Sequence, residues 1–456
     1  MCGIFASYSD GENVMERFMS MKGRGPDKCT LRYINDLVLG FHRLKINDMS
    51  SLGDQPFYLD GNFLVCNGEI YNHEELRETY KLKTTSHSDC EVILHLFRML
   101  GFNQTVNLLD GVFSIIIYDS NNDVMWVARD PFGVRPLFQN TKMEFASEAK
   151  ALDGEITQVE PGSITCIRRK TGDMNMIKYF PFTSTSTHTA GDYDRIRGLL
   201  IKAVKKRTIS DRPIGCLLSG GFDSSIIASI LVQELGYRDL QTFSIGMKGS
   251  VDLENAKTVA KFLGIDRTHH SIELSSSDFL DAIPETVKQI ESYDTTTVRA
   301  SVGMYLLSKY ISENTDIKVI YSGEGADEVC LGYKYFHNAP NPWEGHRESV
   351  RLLNDLHLFD VLRSDRTTAA WGLEIRVPFL DKEFVNYYKN IIPDEKVCIR
   401  GIEKYTLRKS FEIGQWLPDS ILWRSKEAFS DGVSSVEKSW HRIIQHLVEH
   451  CWTREE

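Results

Sequence analysis

The hydrophobic periodicity of this chain changes character near residue 190, and that change governs what it can fold into. Up to about residue 180, short β-like runs at 2–8, 37–41, 62–66, 112–118, 124–128 and 163–167 alternate with turn signals. Helical patterns interrupt them at 13–21, 74–80 and 90–100. Many strands with few helices predict an α+β sandwich. From Asp192 onward the pattern is different. Apolar runs at 214–218, 240–247 and 318–321 alternate with amphipathic helices, one of them over 224–235 with Gly236 as its stop. This alternation predicts a parallel sheet with helices on both faces. Between the two regions, residues 182–191 are small, polar and aperiodic, and read as a linker. At 456 residues the chain exceeds one typical core. The expected division is therefore 1–181, a linker at 182–191, and 192–456.

Composition excludes some classes. A net charge of -10 argues against nucleic acid or anionic lipid as the main partner, while leaving room for a locally positive pocket. Nine cysteines without CxxC spacing read as free thiols in a reducing compartment. The opening residues lack the basic and apolar regions of a secretory signal, and the longest apolar runs are strand-like. A cytoplasmic location is expected. Assembly as a homodimer is compatible with the pattern.

Cys2 follows Met1 and precedes Gly3. Loss of Met1 would leave a thiol and a free α-amine on one residue. Such an amine, with a pKa of about 8, can serve as a base near neutral pH. The motifs that follow, in order, are Arg24-Gly25-Pro26-Asp27, His42-Arg43-Leu44, Gln55-Pro56, Asn67-Gly68-Glu69-Ile70-Tyr71-Asn72, Ser88-Asp89 and Arg129-Asp130-Pro131-Phe132-Gly133. Together they resemble the class II glutamine amidotransferases, a branch of the N-terminal-nucleophile hydrolases. The resemblance implies a four-layer αββα sandwich and roles for several residues. Arg43 suits the α-carboxylate of glutamine, because a guanidinium fork matches a carboxylate. Asp89 suits the α-ammonium. Asn67 and the Gly68 amide suit the oxyanion formed when Cys2 attacks. Leu44, Lys45, Ile46, Asn47 and Glu69 would line the same pocket.

In the second region, Ser219-Gly220-Gly221-Phe222-Asp223-Ser224-Ser225 lies between a predicted strand and a predicted helix, where backbone N–H groups favour phosphate. It is neither a Walker A loop nor a dinucleotide fingerprint. Further motifs are Tyr293-Asp294-Thr295-Thr296-Thr297-Val298-Arg299, Tyr321-Ser322-Gly323-Glu324-Gly325-Ala326-Asp327-Glu328, Trp371-Gly372-Leu373-Glu374 and Lys426-Glu427-Ala428-Phe429-Ser430-Asp431-Gly432. With the first region, this ordered set resembles the glutamine-hydrolysing asparagine synthetases, from Cys2 to about Gly432. The resemblance implies an α/β parallel sheet of the adenine-nucleotide pyrophosphate-loop type, with ATP, Mg²⁺, glutamine and aspartate as small-molecule partners. By the same resemblance, Leu217, Ser219, Gly220, Gly221, Ser224, Ile245, Ser322, Gly323 and Lys426 match positions around ATP. Asp223 matches a metal position, and Asp327 stands on the metal or ribose side. Glu324 either takes a proton from the attacking amine or binds substrate. Thr296, Thr297, Arg299, Asp360 and Arg363 match positions near aspartate and the intermediate. One departure is Phe222, where a smaller aliphatic residue is usual.

Other groups read as structural. His269-His270 lacks a third ligand at metal spacing and is expected as a solvent-facing strand pair. Lys202, Lys205, Lys206 and Arg207 are expected as a solvated helix face. Trp416, Trp423 and Trp440 are expected in apolar packing. Two other functions compete with the leading one: amidation of a different adenylated acid, and a sensor that keeps the fold without catalysis. The presence of Cys2, Asp223, Glu324 and Lys426 speaks against the sensor.

Overall fold

A computed structural model describes residues 1–8, 11–182, 188–425 and 440. The chain packs as two compact units. The first comprises residues 1–182, 209–212 and 356–374; the second comprises 183–208, 213–355 and 375–456.

The first unit contains two six-stranded sheets. One is built from β1 (Gly3–Tyr8), β2 (Lys28–Ile34), β3 (Leu37–Arg43), β8 (Phe138–Asn140), β9 (Phe145–Ala146) and β10 (Ile156–Gln158). Its order is β10-β8-β9-β1-β3-β2. The other is built from β4 (Phe57–Leu59), β5 (Asn62–Ile70), β6 (Gly111–Asp119), β7 (Val124–Arg129), β11 (Ser163–Arg168) and β12 (Asp173–Lys178), in the order β12-β11-β7-β6-β5-β4. The pairs of known register are antiparallel, including β1 with β3 and β5 with β6. Alternation along each strand sends side chains to two faces, and both faces of the central strands are covered. Ile4, Ala6, Leu39 and Phe41 meet Val65, Ile116, Tyr118 and Val127 between the sheets. Leu64, Cys66, Ile115 and Ile117 pack on the outer side against α3 (Glu91–Leu100) and α4 (Phe102–Leu108). Phe5 and Val38 pack against α1 (Val14–Met19) on the opposite outer side. The layers run α, β, β, α, as the resemblance implies.

In the second unit, β13 (Ile214–Leu217), β14 (Gln241–Met247), β15 (His269–Leu274) and β16 (Val319–Tyr321) form a sheet with β17 (Glu374–Arg376), in the order β15-β14-β13-β16-β17. The β13–β14, β13–β16 and β14–β15 pairs are parallel. The helix after β13 starts at Phe222 and is α-helical to Ser229; residues Ile230–Glu234 continue it as a wider π turn. Among the linker residues, 183–187 lie outside the described part. Thr189 pairs with Ile391, and the Gly191 amide donates to Glu395 at 2.6 Å.

Two expectations for charged and polar residues are corrected. Lys202 does face solvent, paired with Glu383. Lys206 and Arg207, however, turn inward onto the buried Asp381 at 2.5 and 2.9 Å, so they do not belong to a solvated face. His269 is half-buried between the Thr242 and Ser244 hydroxyls, and burial lowers its pKa to about 4. His270 stacks on Phe243 and bonds the Tyr310 hydroxyl. The pair is packed rather than solvent-facing. Among the described residues no cluster of three metal-ligating side chains occurs, and no helix is long and apolar enough to cross a membrane. Trp416 packs on Phe411, Trp423 on Tyr405 and Trp440 on Phe279, as expected.

A buried cation links distant parts of the first unit. The Arg24 guanidinium donates to both oxygens of Asp365 at 2.8 and 3.1 Å, to Glu148 at 3.0 Å and to the Cys2 carbonyl at 2.9 Å. Arg24, Glu148 and Asp365 are all buried. Burial opposes the arginine's charge, but the two carboxylates outweigh it and raise its pKa. Removing such a partner strands carboxylates in the interior. Arg24→Met should lower stability by about 3–5 kcal/mol, read as a fall in the urea midpoint.

Candidate functional sites

The first candidate site lies where β1 begins. Cys2 is half-buried at the margin of the inter-sheet core. Its Sγ lies 3.7 Å from the Leu44 carbonyl. Met1 is fully buried and its amine donates to the Leu373 carbonyl at 2.9 Å. With Met1 in place, burial pushes the Cys2 thiol up to about 11 and the Met1 amine down to about 5. The thiol is then neutral at physiological pH, and only the thiolate is a strong nucleophile.

The segment after β3 folds around Arg43. Its guanidinium donates to Asp54 and to the Ser50 carbonyl, each at 2.6 Å, and also to the Asp48 carbonyl. A ligand carboxylate at Arg43 would therefore share the fork with Asp54. Lys45 points away, with Nζ on the Met49 carbonyl and its amide on Asp27. Leu44 and Ile46 are buried, and Asn47 Nδ2 donates to Glu69 Oε1 at 2.5 Å.

Asn67, Gly68 and Glu69 lie along β5 opposite Ser114, Phe113 and Val112. Just before them, the Gln55 side chain accepts from the Cys66 amide at 2.6 Å and donates to its carbonyl, standing in for a missing strand neighbour. Asn67 is 1% exposed, and its Nδ2 is buried with no hydrogen-bond partner. A buried donor left unpaired is costly. Asp89 accepts from the Ile70 amide at 2.8 Å, which anchors it to the end of β5. By contrast, Arg129 and Asp130 build the loop after β7. Asp130 accepts from the amides of Phe132, Val134 and Arg135, while Arg129 donates to the Gly133, Arg135 and Val159 carbonyls.

The second candidate site lies at the carboxyl ends of β13 and β14, where open α/β sheets place ligands. Leu217 sits opposite Phe243 in the register, and Ile245 follows on β14. Ser219 and Ser224 hydroxyls lie 3.1 Å apart, and Ser219 Oγ accepts from the Gly221 amide at 3.3 Å. Gly221 caps α6 (Phe222–Ser229), whose first turn carries Asp223. The second glycine motif lies against the first. A Cβ on Gly323 would come 2.9 Å from Asp223 Cβ and 3.1 Å from the Ser224 amide nitrogen, so no larger residue fits. Ser322 is buried, with its amide on the Arg376 carbonyl, and Glu324 is half-buried.

Asp223 and Asp327 are brought together by a residue that sequence reasoning missed. Lys404 Nζ contacts both oxygens of Asp223, at 2.7 and 2.6 Å, and Oδ1 of Asp327 at 2.7 Å. Nothing in its local sequence singles it out. Arg424, also missed, donates to the Gly220 carbonyl at 3.2 Å and to Asp252 at 3.0 Å. Phe222 has a packing reason: the Arg408 guanidinium lies 4.8 Å over its ring.

The remaining candidates divide. Asp294 caps the helix Thr295–Asn314 by accepting from the amide and the hydroxyl of Thr297, each at 2.7 Å. Thr296 is exposed, and Arg299 Nε is buried without a partner. Asp360 and Arg363 pair with each other on the helix Asp360–Ala369, at 2.7 Å, and that helix packs within the first unit. Lys426 lies outside the described residues.

Comparison with known proteins places this geometry in a family. A glutamine amidotransferase domain model matches residues 1–185, and an asparagine synthase model matches 195–348 and 339–452. The asparagine synthetase (glutamine-hydrolysing) of Mus musculus is 42% identical over 497 residues, spanning 99% of this chain and 88% of that protein. The chain belongs to the glutamine-hydrolysing asparagine synthetases. The Homo sapiens member is also 42% identical over the same shares. The Gallus gallus member is 42% identical over 98% of this chain and 87% of its own length.

The loop that carries Asp89 provides a pH-dependent check on the first site. The Glu91 carboxylate accepts from the amides and hydroxyls of Thr85 and Ser86 at 2.5–2.9 Å. Burial raises its pKa, but hydrogen bonds from His95, Ser86 and Thr85 outweigh that and bring it from 4.5 to about 2. A carboxylate with a depressed folded pKa stabilises the fold above its unfolded value and loses that contribution as pH falls. Glu91→Gln should therefore cost about 1–3 kcal/mol at pH 7 in urea unfolding. The gap from wild type should close between pH 4.5 and about 2.

Proposed function

We propose that this chain makes asparagine from aspartate, with glutamine as the nitrogen donor and ATP split to AMP and pyrophosphate. The observation that carries the reading is the match along 99% of the chain to synthetases of that name, together with the buried, unpartnered Asn67 amide on β5.

In the first site, removal of Met1 frees the α-amine of Cys2, which takes the thiol proton. The thiolate attacks the side-chain carbonyl carbon of glutamine. Asn67 Nδ2 and the Gly68 amide donate to the oxygen as it gains negative charge. The C–N bond breaks, ammonia leaves with a proton from the amine, and water then cleaves the thioester to give glutamate. Arg43 and Asp89 hold the α-carboxylate and α-ammonium. Asn47, Glu69 and the Leu44–Ile46 backbone close the pocket.

In the second site, an oxygen of the aspartate side chain forms a bond to the α-phosphorus of ATP, and pyrophosphate leaves. Ammonia then attacks the β-carbonyl carbon of the resulting β-aspartyl-AMP and AMP leaves, with Glu324 receiving the proton from the nitrogen. Residues 219–224 receive the phosphates, since the amides at the start of α6 and its dipole favour anions. Leu217, Ile245, Ser322 and Gly323 flank adenine and ribose. Lys426 supplies positive charge toward the phosphates. Thr296, Thr297, Arg299, Asp360 and Arg363 are assigned to aspartate and its adenylate.

The donor set suits Mg²⁺, a hard cation that takes oxygen ligands from one or two carboxylates plus substrate phosphates. Asp223 and Asp327 have converging carboxylates that already gather around one cationic group. When bound, Mg²⁺ supplies charge neutralisation for the departing pyrophosphate. A reducing, cytoplasmic setting is supported by the eight described cysteines, all of them unpaired.

The test is a product assay with glutamine, aspartate, ATP and Mg²⁺ that follows asparagine, AMP, pyrophosphate and glutamate together. ADP in place of AMP would refute the reading. Cys2→Ala should abolish glutamine-dependent synthesis and leave synthesis from ammonium salts within about twofold of wild type.

A further inference from the structure

A backbone loop binds an anion only if its N–H groups face the anion and its carbonyls turn away. In the loop 219–224 that orientation is least secure between Gly220 and Gly221, because glycine on both sides lets the intervening peptide rotate at little steric cost. Gly220 has φ +73°, while Gly221 has φ −74° and ψ 159°. The Gly221 N–H donates to Ser219 Oγ at 3.3 Å, and that hydroxyl lies 3.1 Å from the hydroxyl of Ser224. A half-turn of the peptide would put the Gly220 carbonyl on this side instead.

The Gly220 carbonyl is held by Arg424. One guanidinium nitrogen, Nη1, donates to it at 3.2 Å, and the other, Nη2, donates to Asp252 Oδ1 at 3.0 Å. Asp252 is buried in the first turn of the helix Val251–Leu263, so the guanidinium ties the loop to that helix. The loop is pressed onto the same helix: a Cβ on Gly220 would come 2.5 Å from both Asn255 Cβ and the Ala256 amide nitrogen. Gly221 is different. Among the described residues, a Cβ there would meet only Ser219 Oγ within 4 Å, at 3.3 Å, so alanine fits while φ stays negative.

We propose that Arg424 is a positioning residue that locks the Gly220–Gly221 peptide with its N–H toward the nucleotide phosphates, and that Asp252 sets the arginine in place. The inference rests on the reading of 219–224 as the phosphate loop given above. Without the lock, part of the population holds the peptide flipped, with a carbonyl dipole facing the anion. The affinity for ATP then falls by the fraction of molecules left in the competent form. Once ATP is bound the loop is competent with or without the arginine, so kcat changes little. A guanidinium that touched the departing pyrophosphate would lower kcat instead.

The test uses the full chain with Mg²⁺. Peptides spanning 219–224 should exchange amide hydrogen for deuterium more slowly once ATP is added; no slowing refutes the phosphate-loop reading itself. Arg424→Met should weaken ATP binding about tenfold, measured by titration calorimetry without aspartate, and keep kcat for ammonia-dependent synthesis within about threefold. Gly221→Ala supplies the deciding comparison, because the flipped peptide needs a positive φ at 221, which alanine resists. In that background Arg424→Met should weaken ATP binding by no more than about twofold. An equal loss in both backgrounds, or a fall in kcat with ATP affinity unchanged, overturns the proposal and leaves the loop reading standing. Asp252→Asn keeps an acceptor but removes its charge, and should weaken ATP binding about threefold. Unchanged or tighter binding in that variant also overturns the proposal.

Discussion

The Arg24 guanidinium is the contact on which the first unit depends. It reaches the Cys2 carbonyl, Glu148 and Asp365, which are far apart in sequence, while Arg366 and Arg135 also approach the two carboxylates. These contacts tie the segment 356–374 to the first unit, although it follows much of the second in the chain. A buried charge is tolerated when its hydrogen bonds are complete. Here the set of bonds also reaches the backbone of Cys2, at the start of β1.

The second unit solves a different problem, that of crowding polar groups around the glycine loop 219–224. Small residues make the crowding feasible. Gly323 lets one loop press on Asp223, and Gly332 leaves space for Lys404 beside Asp327. Phe222 extends the arrangement outward, since its ring lies beneath Arg408, whose own donors go to the Glu403 and Leu422 carbonyls. A smaller side chain at 222 would give that guanidinium less to rest on. An unusual residue at this position thus comes with its own support.

Much of this architecture was legible from local pattern. The runs around Ile115 and Val127 are strands within one residue of the expected bounds, while the strand at Leu64 runs four residues past the expected 62–66, through the polar Asn67-Gly68-Glu69 to Ile70. Less legible were short or polar strands. Asp173–Lys178 is exposed throughout and pairs only through its backbone with β11, so composition gives no cue. Charged residues were harder still. Lys206 and Arg207 resemble a solvated face until Asp381, 174 residues beyond Arg207, is folded against them. Lys404 has the same difficulty: its meaning lies in Asp223 and Asp327, distant by 181 and 77 residues. The motif residues Arg129 and Asp130 shape a loop, which shows that a family signature can mark scaffold as well as chemistry.

The enclosure of Met1 carries a consequence for timing. No aminopeptidase can grip a residue that has no exposed surface. If the methionine is to go, it must go while the chain is still emerging from the ribosome. Each molecule then has the Cys2 amine freed or left blocked once, at birth, and folding seals that outcome for the rest of its life.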